Sequence, residues 1–122
     1  MPQYLVSTYM PDDFDPSTVT EETIEAIYAL NRELIAAGKR KFACGVAAAS
    51  DAKTLRMQQG DDVSVTDGPY IETKEHIGGL LVLEAANLEE ALDWARRGVL
   101  AGGMPVEVRE LLFFPDPKAS TD

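Results

Sequence analysis

Apolar residues recur at two spacings along the 122-residue chain, and each change of spacing marks a boundary between a predicted strand and a predicted helix. Gln3–Tyr9 is rich in β-branched and aromatic residues, which predicts a first strand. Apolar side chains three and four positions apart then predict a helix from about Val19 to Ala37, in which Asn31 alone interrupts the apolar stripe. A second stripe predicts a helix that follows Asn87 and ends at Gly102–Gly103.

Short polar patterns predict the ends of these helices. Thr18 and Glu21 are three residues apart, as are Asn87 and Glu90, and each pair has the spacing of a capping box. Gly38, which three basic residues follow, is typical of a helix end. We therefore expect helix starts at Thr18 and at Asn87.

Runs of apolar or alternating residues predict the remaining strands. Residues 42–49 form a small-residue apolar run, which predicts a strand buried on both faces. Residues 54–58 and 63–66 predict a β-hairpin, because a turn sequence separates them. The last strand is predicted from Val106 and extended through residues 111–114.

The segment His76–Ala85 is the strongest predicted strand, and its apolarity on both faces predicts a central position. Its apolar residues divide between the faces, with Ile77, Leu81 and Leu83 on one and Leu80 and Val82 on the other. Without the inserted hairpin, the element order is βαββαβ, the ferredoxin-like α+β unit, which places both helices on one sheet face. Because the opposite face is then apolar and uncovered, we predict a homodimer that packs sheet to sheet, with clefts at the ends of its interface.

Composition limits the classes of partner. Asp plus Glu outnumber Lys plus Arg by 21 to 11, a net charge of −10, which argues against nucleic acid and anionic membranes as partners. One cysteine and one histidine provide neither an internal disulfide nor an ordinary zinc site, so we expect no metal and no cofactor. The longest apolar runs are too short to span a bilayer and no export signal is visible, which predicts a cytoplasmic protein. We expect one domain at 1–115 and a flexible tail at 116–122.

The most unusual segment is DGPYIETKEHIGG at residues 67–79, where carboxylate, ammonium and imidazole groups crowd together. In an extended segment Tyr70, Glu72, Lys74 and His76 project to one side, whereas in a helical turn Glu72 and His76 are neighbours. Such groups supply general acids and bases when one of them is desolvated, but charged residues between two strands more often form a solvated turn. The side-chain-free pair Gly78–Gly79 permits a ligand or a partner chain to approach closely.

Each candidate residue has a functional and a structural interpretation. His76 is a candidate base or a polar residue at the start of a strand, and Asp67 is a pocket acid or the cap of its own turn. Lys74 either holds an anionic ligand or pairs with Glu72 or Glu75. Cys44 fits best as a small core residue.

The long motif resembles the signature of the DGPF-type branch of the YCII-related proteins, D-G-P-F-x-E-x-K-E-x-x-G-G, with Tyr70 where Phe is usual. The segments NLEEALDWA (87–95) and PVEVREL (105–111) are similar to the helix and final strand of that family, so the resemblance extends from Tyr4 to about Leu112. It implies a ferredoxin-like fold that forms a dimeric α/β barrel. Most relatives have no assigned biochemical role.

The main hypothesis is a homodimer that binds a small molecule in an inter-subunit cleft edged by residues 67–79, with Tyr70, Lys74, Glu75, Gly78 and Gly79 as ligand contacts. One alternative, by analogy with a dehalogenating relative that uses a His–Asp pair, is a lyase or hydrolase with His76 as base, oriented by Glu72 or Asp67. The sequence does not clearly show such a pair. The other alternative is an interaction adaptor linked to sigma-factor regulation, which predicts a filled cleft and an exposed apolar patch around Phe113–Phe114.

Overall fold

A computed structural model describes residues 1–118, so most of the tail predicted at 116–122 lies outside the described residues. The described chain contains six β-strands and two α-helices. In chain order they are β1 (Gln3–Pro11), α1 (Glu21–Ala36), β2 (Arg40–Gly45), β3 (Lys53–Met57), β4 (Val63–Asp67), β5 (Glu75–Glu84), α2 (Leu88–Gly102) and β6 (Val106–Glu110). Short 3₁₀ turns lie at Pro16–Thr18 and Ala49–Asp51.

Four of the strands form one antiparallel sheet in the order β2-β5-β1-β6. Strands β3 and β4 pair only with each other, as the predicted hairpin. The protein therefore has an α+β fold, and its strand order is compatible with the ferredoxin-like unit. The predicted element order and the central position of β5 are confirmed.

Hydrogen bonds at the helix starts explain one correct and one wrong boundary. The side chain of Asn87 accepts a hydrogen bond from the Glu90 N–H at 2.9 Å, which confirms the predicted cap of α2. The cap of α1 is Thr20, whose hydroxyl oxygen accepts from the Thr23 N–H at 3.1 Å, so the prediction of Thr18 is wrong. Thr18 instead ends a 3₁₀ turn that Asp15 caps, and α1 begins only at Glu21.

A β-bulge in β5 reverses the face of one predicted residue. Thr8 lies opposite Gly79 and Tyr9 lies opposite Ile77, so Gly78 is an extra residue without a partner in β1. The bulge turns Ile77 to the face that Leu80 shares, and its predicted place beside Leu81 is wrong. A Cβ atom at Gly78 would collide with the side chain of Met10, which would then have to move.

Two other strand predictions are wrong because they depend on which strands are neighbours. β2 is an edge strand, and Phe42 within it is 51% exposed, so this strand is not buried on both faces. The predicted core position of Cys44 is wrong for the same reason, since Cys44 is exposed. The last strand ends at Glu110 and does not extend through residues 111–114 as predicted. The neighbouring strand β1 begins at Gln3, whose carbonyl oxygen accepts from the Leu111 N–H, so the residues beyond Leu111 lie past the end of β1.

The hydrophobic core lies between the sheet and α2. Tyr4, Val6 and Leu83 from the sheet pack against Ala91 and Ala95 of the helix. The opposite sheet face has Leu80 and Val82 at its centre, so the predicted two-sided apolarity of β5 is confirmed. None of the helices within residues 1–118 is long and apolar enough to cross a membrane.

Candidate functional site

A cavity with a volume of about 550 Å³ lies between the two helices and the sheet. The sheet contributes Val6 and Leu81, α1 contributes Ile27 and Leu34, and α2 contributes Trp94. Phe14 and residues 18–20, from the segment that leads from β1 to α1, also line the cavity. This volume is within the range of small-molecule sites in proteins.

Small residues on α2 leave this space open. Ala95, Gly98, Ala101 and Gly102 all line the cavity, and none has a side chain larger than a methyl group. A Cβ atom at Gly98 would lie 3.9 Å from the Leu30 side chain, so the helix backbone itself forms part of the wall. Since protein interiors are otherwise close-packed, these residues produce a pocket where larger ones would produce a core.

The cavity is uncharged although 26% of the residues of the chain are charged. Among the described residues that line it, none is Asp, Glu, Lys, Arg or His. The polar side chains on the wall are hydroxyls, one carboxamide, one thiol and the Trp94 indole, whose N–H donates to Glu90 at 3.3 Å. Such a surface favours apolar ligands with few hydrogen-bonding groups.

A second cavity of about 380 Å³ lies at the end of β1 and contains the only histidine. His76 and Asp12 line it together with residues 46–50. Met10 and Phe14 line both cavities, so these two side chains separate the uncharged space from the polar one.

His76 bonds through both of its ring nitrogens. Nδ1 lies 2.6 Å from an oxygen of the Asp12 carboxylate, and Nε2 lies 3.0 Å from the carbonyl oxygen of Ile71. Both partners are acceptors, so both bonds form only when each nitrogen carries a proton. The hydrogen bond to Asp12, then the bond to Ile71, raises the pKa of His76 above its ordinary value of 6.5, against a smaller opposing effect of burial.

The imidazolium joins two segments that are distant in sequence. Asp12 follows β1, and Ile71 belongs to the segment between β4 and β5. The Asp12 N–H also donates to the carbonyl oxygen of Lys74 at 2.8 Å, so a backbone bond reinforces the contact. With both ring nitrogens occupied and the side chain only 18% exposed, His76 presents no free lone pair to accept a substrate proton.

The other predicted site residues do not gather around His76. The Asp67 carboxylate pairs with the Lys53 ammonium at 2.5 Å, and its side chain is 86% exposed. Tyr70 is exposed and its ring lies under the Arg56 guanidinium, 4.7 Å from the ring centroid. Three further candidates, Glu72, Lys74 and Glu75, are exposed and line neither cavity.

The predicted glycine pair lies beside both cavities. Gly79 lines the uncharged cavity, and a Cβ atom there would lie 3.4 Å from the Cys44 carbonyl oxygen. Gly78 lies against Met10, and its carbonyl oxygen accepts from the Val46 N–H at 3.1 Å. Both glycines therefore permit close contact within the subunit.

Sequence reasoning missed two residues of the site, Asp12 and Asn31. Asp12 lies just beyond β1, and no spacing pattern connects it with a histidine 64 residues later. Asn31 did give a signal, because it is the one polar residue in the apolar stripe of α1, and it lines the uncharged cavity.

Comparison with known proteins identifies the family. The model of the YCII-related domain matches residues 1–112. An uncharacterised protein of Rhizobium meliloti is 37% identical over 76 residues, which are 62% of this chain and 60% of that protein. The matched region thus spans about 60% of the length of this curated relative.

Proposed function

The chain belongs to the YCII-related family, and we propose that it is a homodimeric protein of the DGPF-type branch in which each subunit binds a small, largely apolar molecule between its helices and its sheet. The observation that carries this proposal is the uncharged cavity of about 550 Å³. The apolar lining atoms of this partly open space lack protein contacts on one side. A ligand restores those contacts.

The proposed ligand lies inside each subunit and not in an inter-subunit cleft. The charged side chains of residues 67–79 that were expected to edge such a cleft line neither cavity, apart from His76. The uncharged cavity, in contrast, takes its lining from both helices and the sheet of one chain. A complete site in one subunit favours binding there.

The proposed homodimer packs through the helix-free sheet face, which gives a dimeric α/β barrel. Phe42 and Ile77 are exposed on this face, beside Leu80. An apolar sheet face is a common self-association surface. Sedimentation at micromolar concentration tests this proposal. We expect the wild-type protein to be a dimer and Phe42→Glu to be a monomer. A monomeric wild-type protein would contradict the proposed dimer.

The pair of His76 and Asp12 supports a second candidate function, a lyase or hydrolase. The 2.6 Å contact supplies a His–Asp arrangement, with Asp12 in the place that Glu72 or Asp67 was expected to take. As a base, His76 must first release Ile71, because that carbonyl occupies Nε2. Binding therefore fits the geometry better than catalysis. The adaptor hypothesis predicted a filled cleft and an exposed apolar patch at Phe113–Phe114. Phe114 is 94% exposed, but the cavity that is not filled by side chains argues against that hypothesis.

A thermal-shift screen of uncharged small molecules on the wild-type protein and Ala101→Leu tests the binding function. A ligand at about 100 times its Kd stabilises the protein by about 2.7 kcal/mol, so hits raise the Tm of the wild-type protein. The added leucine atoms in Ala101→Leu occupy the cavity and should abolish these shifts. Ala26→Leu on the exposed side of α1 is the matched control, and equal shifts in all three proteins would contradict the proposed site.

A further inference from the structure

We infer that the ligand of the uncharged cavity is electrically neutral and has a hydrogen-bond donor that the carboxamide oxygen of Asn31 accepts. This inference rests on the proposed function and specifies the class of ligand. Two observations support it. No described residue that lines the cavity is charged, and the polar side chains that line it already make some of their hydrogen bonds within the protein.

Neutrality follows from the lining. A carboxylate or ammonium group loses its water when it enters an apolar cavity, and no charged side chain among the described lining residues compensates that loss. The imidazolium of His76 lies in the neighbouring cavity and already pairs with Asp12. The net charge of −10 also opposes the entry of anions.

The donor requirement follows from Asn31. Its amide nitrogen donates to the Ile27 carbonyl oxygen at 2.9 Å, and Asn31 lines the cavity, so the amide oxygen is the group left to accept a hydrogen bond from a ligand. Within the described chain this oxygen makes no hydrogen bond. An amide oxygen only accepts, so it selects a ligand hydroxyl or N–H over an ether or a hydrocarbon.

The threonines on the wall differ in what they offer a ligand. Thr18 donates its hydroxyl proton to the Asp15 carbonyl oxygen, and Thr20 donates to the Thr23 hydroxyl. The Thr8 and Thr23 hydroxyls both donate and accept, so they tolerate either type of ligand group. The Thr18 and Thr20 oxygens are therefore left to accept, as the Asn31 oxygen is, and Asn31 is the residue whose substitution tests the donor requirement.

Three probes with nearly the same shape separate these requirements. N-phenylnaphthylamine is neutral and has one N–H, anilinonaphthalenesulfonate adds a negative charge, and phenoxynaphthalene replaces the N–H by an ether oxygen. Trp94 is the only tryptophan and lines the cavity, so its quenching by a bound probe reports binding at this site. We expect the amine to bind at least about tenfold more tightly than the sulfonate, because the charge loses its hydration.

The variant Asn31→Leu tests the donor. It should bind the amine about fivefold more weakly than the wild-type protein, the loss expected for one neutral hydrogen bond, and should bind the ether at least as well. Preference for the amine over the ether should thus disappear in the variant. Ala26→Leu again serves as the matched control, and thermal unfolding confirms that each variant is folded.

The outcomes distinguish the inference from the function on which it rests. If no probe quenches Trp94 in the wild-type protein, the proposed binding function fails. If the sulfonate binds as tightly as the amine and Ala101→Leu abolishes both, the function stands and neutrality is overturned. If Asn31→Leu retains the preference for the amine, the role of Asn31 is overturned.

Discussion

The uncharged cavity and the polar segment 67–79 differ in how visible they are in the sequence. The segment concentrates charged groups in a few positions, yet its Asp67, Glu72 and Glu75 side chains lie in solvent. The cavity is lined by small and apolar residues that have the pattern of an ordinary helix–sheet core. The more conspicuous region of the sequence is thus the more hydrated region of the structure.

This difference has a physical origin. Charged side chains are stabilised by water, so a dense group of them stays exposed unless specific partners are buried with it. A concave site requires missing volume, and Gly98 and Ala101 provide it by being small. Small residues on the inner side of a helix are therefore as informative about a binding site as polar motifs are.

The largest expected effect tests whether the core between the sheet and α2, which lies beside the cavity, is tightly packed. Leu83 is 0% exposed and contacts the core beside Tyr4, so Leu83→Ala should lower the free energy of unfolding by about 2–5 kcal/mol. Leu100 on α2 is 79% exposed, so Leu100→Ala is the control and should change the free energy of unfolding by less than about 0.5 kcal/mol. Urea unfolding measures both, and equal effects would show that this core is loosely packed.

Much of the fold follows from local patterns. The hairpin, the cap at Asn87 and the central strand β5 were predicted because turn chemistry, capping and alternation act over a few residues. The edge position of β2 and the bulge at Gly78 were not, because both depend on which strands become neighbours. Alternation continues through Gly78 without interruption, since glycine has no side chain to reveal the change of face.

Less of the candidate site was predictable. His76 was identified as a candidate base, but its partner Asp12 was not, because tertiary structure alone brings the two together. The charged neighbours of His76 in sequence were expected to orient it, whereas Asp12 and the backbone oxygen of Ile71 do so. A carbonyl group is present at every residue, so its role leaves no trace in the sequence.

The His76 contact should make stability depend on pH. The folded-state pKa is raised above 6.5, so the stabilisation is complete below that pH and is lost as the pH rises through the folded-state pKa. We expect the Tm difference between the wild-type protein and His76→Asn to shrink as the pH rises from about 5.5 to about 9. Asp12→Asn should show a similarly weakened dependence, and a difference independent of pH would contradict the double-donor state of His76.

A smaller effect concerns the helix backbone at the cavity wall. Gly98→Ala should stabilise the protein by about 0.4–1 kcal/mol, because the methyl group has space at 3.9 Å from Leu30 and alanine favours a helix. Gly103→Ala is the opposite control, since Gly103 ends α2 with a φ of 79° that disfavours a side chain. Thermal unfolding distinguishes them, and destabilisation by Gly98→Ala would mean that the cavity wall has no free space.

The smallest expected effect returns to the polar segment. Asp67→Asn removes the charge that pairs with Lys53, but both side chains are well exposed, so the free energy of unfolding should change by less than about 0.5 kcal/mol. Quenching of Trp94 by N-phenylnaphthylamine should also be unchanged, because Asp67 lines neither cavity. Glu72→Gln, which removes another exposed charge from the same segment, is the matched comparison and should give the same result. A tenfold loss of probe affinity in either variant would place the binding site at the polar segment and reverse the comparison between the two regions.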